Sequence, residues 1–111
     1  MLSTELDEQK AEECRRLMIK YPGRIPVIIK KGNSSAPDID RTKYLVPNDI
    51  TFSTFSSLIR NRLKLKQDEA IFIMANNTII TGSSLMQKVY KDHKSPEGYL
   101  LLEYSLESVF G

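Results

Sequence analysis

The stretch Tyr99-Leu100-Leu101-Leu102-Glu103-Tyr104 decides the fold, because five of its six residues are apolar or aromatic. The apolar residues do not alternate with polar ones, and such a run is typical of a strand whose sheet is covered on both faces. We therefore expect a central strand here. Beyond Ser105 the pattern has neither a helical nor a strand period, and the sequence ends on Gly111. A buried strand would then present a narrow carboxyl terminus.

The composition is that of an ordinary globular domain. The 111 residues are 41% hydrophobic and 27% charged with a net charge of +2, which suits one domain. This balance gives no case for binding nucleic acid, which normally requires one face rich in Lys and Arg. Cys14 is the single cysteine, so the chain suits a reducing cytosol and has neither an internal disulfide nor a cysteine zinc site. No apolar run approaches the roughly 20 residues of a membrane-spanning helix.

The first half of the chain predicts a helix, a hairpin and a second helix. Residues 4–21 favour an amphipathic helix, with Thr4 and Asp7 spaced as a capping box. Its apolar face would contain Cys14, Leu17, Met18 and Tyr21. The segments 25–31 and 41–46 predict paired strands, and Thr51 can cap a helix that runs to about residue 63. The apolar stripe of that helix would be Phe52, Phe55, Leu58, Ile59 and Leu63.

The second half predicts a strand at 70–75, a turn at Asn76-Asn77, a short extended piece at 78–80 and a third helix capped by Ser83 or Ser84. That helix would end near His93, with its apolar side formed by Leu85, Met86, Val89 and Tyr90. A hairpin, a core helix and a late strand that returns to the centre of the sheet describe an α+β fold, the ubiquitin-like β-grasp. An additional N-terminal helix would pack on the sheet. We expect the helical extension at 1–23, the β-grasp domain at 24–105 and a flexible tail at 106–111.

The second strand of the predicted hairpin has two different faces. Lys43 and Leu45 point to one side, whereas Tyr44 and Val46 point to the other. If this strand lies at an edge, an added peptide strand would reach recesses on both sides of an open ladder. Residues three apart on a strand point to opposite sides, so a motif of aromatic-x-x-aliphatic type would use both recesses. Most apolar positions of this kind nevertheless belong simply to a core.

Three further features have modest interpretations. Cys14 lies on the apolar helix face and is expected to be a small buried hydrophobic residue, not a nucleophile, because His93 is the only histidine. His93 itself suits the end of a helix. A solvated basic face is the simplest interpretation of Lys30, Lys31, Arg60, Arg62, Lys64 and Lys66. Weak attraction to an anionic membrane would be its minor role.

Several short stretches of the sequence together carry a resemblance to a known protein family. In chain order they are RIPVI at 24–28, DID at 38–40, KYLVPNDIT at 43–51, IRNR at 59–62, AIFI at 70–73 and NNT at 76–78. They continue with LM at 85–86, VY at 89–90, HK at 93–94, GY at 98–99, EYS at 103–105, Glu107 and FG at 110–111. These stretches resemble the autophagy ubiquitin-like modifiers of the GABARAP and light-chain-3 family, and the resemblance covers nearly the whole chain from about residue 12 onward.

The resemblance implies a modifier whose terminal glycine is adenylated, passed as a thioester through activating and conjugating enzymes, and joined to the amine of phosphatidylethanolamine. Gly111 would be the lipid-conjugation residue. Phe110 would be recognised by the conjugating enzymes and by a deconjugating cysteine protease. The protein would be a substrate, not an enzyme, and would need no cofactor or metal. It would be a cytoplasmic monomer that gathers on autophagosomal or other endomembranes when lipidated.

The resemblance also implies a binding site for adaptors and cargo receptors that carry aromatic-x-x-aliphatic motifs. Its aromatic pocket would be formed by Glu13, Leu17, Pro26, Ile28, Lys43, Leu45 and Tyr99. Its aliphatic pocket would be formed by Tyr44, Val46, Pro47, Ile50, Phe55, Leu58 and Ile59. The acidic residues that flank such motifs would meet Arg24, Arg41, Lys43 and Arg62.

A terminal glycine also has a physical rationale, because a residue without Cβ passes through narrow enzyme channels and accepts unusual backbone angles. The alternative is a β-grasp interaction module that binds partners at the hairpin edge and is never conjugated. An enzyme is disfavoured, since the sequence shows no paired carboxylates, metal cluster or phosphate-binding glycine loop.

Overall fold

The structure, a computed structural model, describes residues 2–32 and 36–106, with side chains from residue 9 onward. Within this part the chain forms three helices and five strands. In chain order they are α1 Leu2–Lys20, β1 Arg24–Lys31, β2 Lys43–Pro47, α2 Phe52–Leu63, β3 Ile71–Ala75, β4 Thr78–Ile79, α3 Met86–His93 and β5 Leu100–Leu106.

The strands form one sheet in the order β2-β1-β5-β3-β4. β5 is parallel to β1, with Val27 opposite Leu100, and antiparallel to β3, with Ile73 opposite Tyr104. β1 and β2 form an antiparallel hairpin. The prediction that the last strand returns to the centre of an α+β ubiquitin-like β-grasp is therefore confirmed.

The core lies between the sheet and the helices α2 and α3. On β5 the residues Leu100, Leu102 and Tyr104 face this core and are at most 1% exposed, whereas Leu101 and Glu103 on the other face are half-buried. The expectation of equal cover on both faces was thus only half right, because α1 packs on part of the second face. The buried cluster comprises Ile25, Val27, Ile29, Ala36, Val46, Phe52, Phe55, Ile59, Leu63, Ile73, Ala75, Met86, Val89, Leu100, Leu102 and Tyr104.

Helix α2 begins where the sequence predicts. The Thr51 hydroxyl accepts a hydrogen bond from the backbone N–H of Thr54 at 3.2 Å, which satisfies one of the unpaired donors of the first turn. The helix ends at Leu63, and the next residue, Lys64, has a left-handed conformation with φ of 56°. One member of the predicted stripe differs. Leu58 is 43% exposed, because it lies at the margin of the face that buries Phe55 and Ile59.

The start of α3 corrects the prediction of a serine cap. The cap residue is Leu85, without a side-chain hydrogen bond, and Leu85 is 38% exposed instead of packed on the apolar face. The backbone of Ser84 is used differently, because its carbonyl accepts from Phe52 N–H at 2.7 Å. Met86 N–H then donates to the Ile50 carbonyl at 2.8 Å. Pairing with the start of α2 therefore determines where α3 begins.

Other boundaries differ from the sequence predictions by a few residues. Helix α1 begins at Leu2, so Thr4 lies inside it and the predicted capping box is wrong. β2 spans Lys43–Pro47 instead of 41–46, because it pairs with β1 as far as Arg24. β5 continues to Leu106, which pairs with Ile71, and so extends one residue into the segment predicted as tail. α3 ends at His93 as predicted.

Candidate functional site

Strand β2 lies at one edge of the sheet, which was the condition for a peptide site at the hairpin. Ile29 N–H donates to the Thr42 carbonyl at 2.8 Å, and Asn48 N–H donates to the Gly23 carbonyl at 2.9 Å. In an antiparallel ladder such bonded positions alternate with positions whose backbone groups point away from the partner. The N–H and C=O groups of Lys43 and Leu45 therefore face the open edge, while Pro47 has no N–H and ends the row of donors.

A cavity of about 390 Å³ lies beside this edge, between α1, β1 and β2. Among the described residues, its lining comprises Lys10, Glu13, Cys14, Leu17, Pro26, Val27, Ile28, Arg41, Lys43, Tyr44, Leu45 and Tyr99. We call this cavity the edge groove. All seven residues that the family resemblance assigns to the aromatic pocket are among those that line it. The groove thus brings together side chains that are as far apart in the sequence as Glu13 and Tyr99.

The sequence prediction missed five residues of the edge groove: Lys10, Cys14, Val27, Arg41 and Tyr44. Arg41 and Tyr44 were expected nearby, but in other roles. The signal for Lys10 and Cys14 was helical spacing, because both precede Leu17 by whole turns of α1. This spacing was used to predict one helix face but not the wall of a groove.

Charged side chains form the rim of the edge groove. Lys43 Nζ lies 3.9 Å from Glu13 Oε1, and Lys10 Nζ lies 5.7 Å from the centre of the Tyr99 ring. Arg41 adds a third cation. With three cations and one carboxylate at an apolar recess, the rim favours an apolar ligand with negative charge next to it.

Cys14 lies behind the groove and is 6% exposed. Burial raises the pKa of its thiol, and the carboxylates of Glu13 and Glu97 raise it further against the opposing effect of Lys43. The thiol is therefore neutral near pH 7. This confirms the expectation of a small buried hydrophobic residue, and it makes that part of the groove apolar.

The residues that the family resemblance assigns to the aliphatic pocket divide into two groups by exposure. Val46, Phe55 and Ile59 are at most 5% exposed and belong to the core. The other four members, Tyr44, Pro47, Ile50 and Leu58, leave accessible surface. Pro47 lies opposite Arg24 and therefore shares the sheet face of Lys43 and Leu45, whereas Tyr44 lies on the other face. The Tyr44 ring contacts Phe55 edge-on, at 6.1 Å between ring centres. Tyr44 and Ile50 therefore pack against the buried cluster to which Phe55 belongs.

Two arginines expected to meet acidic flanks already have partners. Arg62 donates two hydrogen bonds to Asp40, from Nε at 3.2 Å and from Nη2 at 2.9 Å, and its guanidinium lies 6.0 Å from the Tyr44 ring centre. Arg24 Nη1 donates to the Leu45 carbonyl at 3.2 Å. Burial raises the pKa of Tyr44 despite the opposing charge of Arg62. Its hydroxyl therefore stays protonated and donates to the Arg41 carbonyl at 2.9 Å.

The predicted conjugation residues, Phe110 and Gly111, lie outside the described residues. The strand that leads to them ends at Leu106, beside Ile71. Because β5 runs parallel to β1, its last residues lie near Lys31, whereas the edge groove extends toward Arg24 at the other end of β1. The end of β5 and the groove are therefore at different ends of the sheet.

Neither a membrane span nor a metal site is found in the part of the chain that the structure describes. No helix there is long and apolar enough to cross a membrane. Over the same residues, no group of three or more His, Cys, Asp or Glu side chains is arranged to hold a metal ion.

A β-grasp sheet with an additional N-terminal helix packed on it defines a ubiquitin-like fold. Residues 9–111 match the family model described as "Autophagy protein Atg8 ubiquitin like". The chain belongs to this family, and the resemblance stated from the sequence is confirmed.

Individual relatives agree with this assignment. The chain is 44% identical over 105 residues to autophagy-related protein 8b of Arabidopsis thaliana, which covers 94% of this chain and 86% of that protein. Identity to autophagy-related protein 8 of Kluyveromyces lactis is also 44% over 105 residues, with 94% and 85% covered. The crystal structure of Trypanosoma brucei ATG8 superimposes with a TM-score of 0.86 at 34% identity and covers 95% of this chain and 91% of that one.

Proposed function

We propose that this protein is a ubiquitin-like modifier of autophagy that is conjugated through Gly111 to phosphatidylethanolamine on autophagosomal membranes. There it recruits adaptors and cargo receptors that carry aromatic-x-x-aliphatic motifs. The observation that carries the proposal is the edge groove, which lies beside a free strand edge and gathers seven residues that were carried over from the family by position.

The geometry supports peptide binding by strand addition. The outward-facing backbone groups of Lys43 and Leu45 offer hydrogen bonds to an extended peptide. The edge groove, on the α1 side of β2, would receive the aromatic side chain. The aliphatic side chain would lie on the other side, on the accessible surface of Tyr44, Ile50 and Leu58. A motif with its aromatic residue first would then run from Lys43 toward Pro47, parallel to β2.

The groove gives binding energy to an aromatic residue because its walls are largely apolar. An aromatic side chain contributes binding energy by leaving water, and Leu17, Pro26 and Ile28 offer it apolar contact. The cations at the rim, Lys10, Arg41 and Lys43, would attract acidic residues next to the motif. We expect this electrostatic part to fall with rising salt.

Conjugation would proceed with the chain as acyl donor. ATP adenylates the carboxyl group of Gly111 with release of pyrophosphate, and a cysteine thiolate of the activating enzyme displaces AMP. After transfer to the conjugating enzyme, the amine of phosphatidylethanolamine displaces the thiolate and forms an amide. The chain supplies only the carboxyl group, and Phe110 would give the enzymes an apolar contact beside the reacting bond.

Incubation with the organism's own activating and conjugating enzymes, ATP and phosphatidylethanolamine liposomes tests conjugation directly. The intact protein should give a lipidated species, and the protein that lacks Gly111 should not, because the activated carboxyl would then lie on the bulky Phe110. We expect both proteins to have the same melting temperature, since a single residue at a chain terminus usually adds little stability. In starved cells the deletion variant should stay diffuse while the intact protein forms puncta.

A never-conjugated interaction module would give no lipidated species from the intact protein, although motif peptides would still bind. Lipidation of the deletion variant, or its unfolding, would refute the assigned role of Gly111. Titration of a fluorescent motif peptide tests the edge groove separately from the terminus. The two halves of the proposal can therefore fail independently.

A further inference from the structure

Arg24 lies next to the edge groove, two positions before Pro26, and is not among the described residues that line it. It lies opposite Pro47 in the hairpin, near the end of β2 toward which a bound motif would run from its aromatic to its aliphatic residue. Side chains alternate along β1, so Arg24 shares a sheet face with Pro26 and Ile28, which line the groove. From this face the Arg24 guanidinium reaches across β2 and donates to the Leu45 carbonyl at 3.2 Å.

The Leu45 carbonyl is one of the outward-facing groups of the open edge. The hydrogen bonds on either side, from Ile29 N–H to the Thr42 carbonyl and from Asn48 N–H to the Gly23 carbonyl, establish the alternation that turns the Leu45 carbonyl away from β1. A peptide strand added to β2 would direct one of its own N–H groups at this same oxygen. Arg24 therefore occupies an acceptor that strand addition requires.

Other cations near the groove are engaged differently. Arg62 pairs with the Asp40 carboxylate, and Lys43 lies near the Glu13 carboxylate. Those contacts involve carboxylates and do not use the backbone N–H or C=O groups of β2. The Arg24 contact is made by a charged donor to a backbone acceptor, and such bonds are stronger than those between neutral groups.

We propose that Arg24 caps the open edge of β2 and that a bound peptide must displace it from the Leu45 carbonyl. The proposal rests on the peptide-binding function proposed above and adds a rule for selecting peptides. The displaced guanidinium needs a new partner, and an acidic side chain directly after the aliphatic residue would lie at the same end of the groove. An acidic residue there offsets the lost hydrogen bond, and a neutral one does not.

The cap has a second consequence for the free protein. An unpaired strand edge is a template for pairing with other chains, and charged side chains at the edge reduce this tendency. By holding the Leu45 carbonyl, Arg24 removes one acceptor from an edge that offers only a few. The same contact thus disfavours neutral peptides and unspecific strand pairing.

Titration of two peptides against both the unchanged protein and an Arg24 variant tests the proposal. Two fluorescent peptides carry the same aromatic-x-x-aliphatic motif, one followed directly by Glu and the other by Gln. Arg24→Met keeps an unbranched side chain but has no donor. Compared with the unchanged protein, we expect Arg24→Met to bind the Gln peptide about threefold more tightly and the Glu peptide about threefold more weakly, in the range of one surface hydrogen bond.

Arg41→Met is the matched control, because it removes the same charge from the other end of the groove. We expect it to weaken the Glu peptide through loss of charge without any gain for the Gln peptide. If Arg24→Met weakens both peptides, or leaves the Gln peptide unchanged, the carbonyl accepts both donors at once and the proposal is wrong.

The carbonyl carbon shift of Leu45 in NMR spectra tests the cap without a peptide. We expect it to move in Arg24→Met and to stay in place in Arg41→Met. An unmoved shift in Arg24→Met would refute the cap even if peptides bind, and would leave the peptide-binding function intact. If no peptide binds the unchanged protein but the Gln peptide binds Arg24→Met, the cap is supported and is stronger than expected. If a moved shift is accompanied by no binding in any variant, the selection rule and the groove's peptide-binding function both fail.

Discussion

The sheet has two edge strands, β2 and β4, which differ in nearly every property that matters for binding. β2 has five residues and lies beside an apolar groove of about 390 Å³. β4 has two residues, Thr78–Ile79, and lies beside a smaller cavity of about 150 Å³. The smaller cavity is lined mainly by hydroxyl and charged side chains, among them Ser84, Lys88 and Asp92.

Exposure alone does not distinguish the two edges. Ile79 on β4 is 69% exposed, more than the half-buried Leu45 on β2. The difference is shape and polarity, because a recess removes far more ligand surface from water than a single exposed side chain does. A short edge strand is also a poor template for pairing. An edge gains a recess that a side chain can enter when a neighbouring element, here α1, forms a wall beside it.

The largest expected effect comes from placing a charge in the edge groove. Leu45→Arg should weaken binding of aromatic-x-x-aliphatic peptides roughly 100-fold, because an aromatic ring would have to desolvate the new guanidinium. Ile79→Arg puts the same charge on the other edge and should leave affinity unchanged. Peptide titration with circular dichroism as a folding control measures both. An equal loss in the two variants would show that the comparison of edges is wrong.

Cys14 reports on the closed side of the groove. Its raised pKa lowers the thiolate fraction at any pH below that value, so at pH 8 iodoacetamide should alkylate the folded protein at least about tenfold more slowly than the urea-unfolded chain. The rate should rise as pH exceeds the ordinary value of 9.0. A saturating motif peptide should slow the reaction further. Equal rates in folded and unfolded chains would contradict the assigned burial.

The same pKa shift links to stability with a definite sign. The folded state holds the Cys14 proton to a higher pH than the unfolded chain does. The contribution of Cys14 to the free energy of unfolding is therefore complete below pH 9.0, the ordinary pKa of the thiol. This contribution falls as pH rises through the raised pKa of the folded state. Urea titrations of the unchanged protein and of Cys14→Ala between pH 7 and 10 measure this fall, which should be smaller in the variant.

Tyr44 lines the edge groove, but its ring contacts Phe55 of the core, so this residue tests the core-facing side of β2. Tyr44→Ala removes the edge-on contact with Phe55 and the ring beside Arg62, so peptide affinity should fall roughly fivefold and the free energy of unfolding by about 1–2 kcal/mol. Tyr44→Phe is the matched control, since it loses only the hydrogen bond to the Arg41 carbonyl. Peptide titration and urea unfolding check both. If Tyr44→Phe costs as much as Tyr44→Ala, the ring contacts do not explain the effect.

The smallest effect is expected beside β4. Lys88 and Asp92 form an exposed ion pair one helical turn apart at 2.9 Å. Lys88→Ala should change the free energy of unfolding by less than about 0.5 kcal/mol and should leave peptide affinity unchanged. Urea unfolding and peptide titration measure these quantities. A clear loss of peptide affinity would mean that the two edges are coupled.

Local chemistry made several elements predictable from the sequence. Thr51 starts α2 because its hydroxyl satisfies a nearby backbone donor, and this depends only on residues within one turn. The apolar run in β5 predicted a central strand because a strand with two neighbours must bury its side chains. Burial of Cys14 followed from helical spacing. In each case the deciding interaction lies within a few residues along the chain or follows from hydrophobicity alone.

Predictions failed where the partner is distant in sequence. The start of α3 is set by hydrogen bonds to Ile50 and Phe52, which displaced the serine cap. Leu58 and Ile59 are neighbours of equal hydrophobicity, yet Leu58 is 43% exposed and Ile59 is 0% exposed. The direction in which a helix faces its sheet separates them. Sequence periodicity does not resolve a difference of one residue at the margin of a helix face.

For the edge groove, too, some features could be predicted from the sequence and others only the structure determined. Sequence alone determined the alternation of β2, the presence of a hairpin and the family resemblance that assigned seven residues to the aromatic pocket. Only the tertiary structure placed α1 against β1, made β2 an edge and laid Arg24 on the Leu45 carbonyl. The physical reason is the distance along the chain over which each kind of interaction acts. Propensity and periodicity act between residues within a few positions of one another, whereas a groove is a space between elements and exists only after they pack.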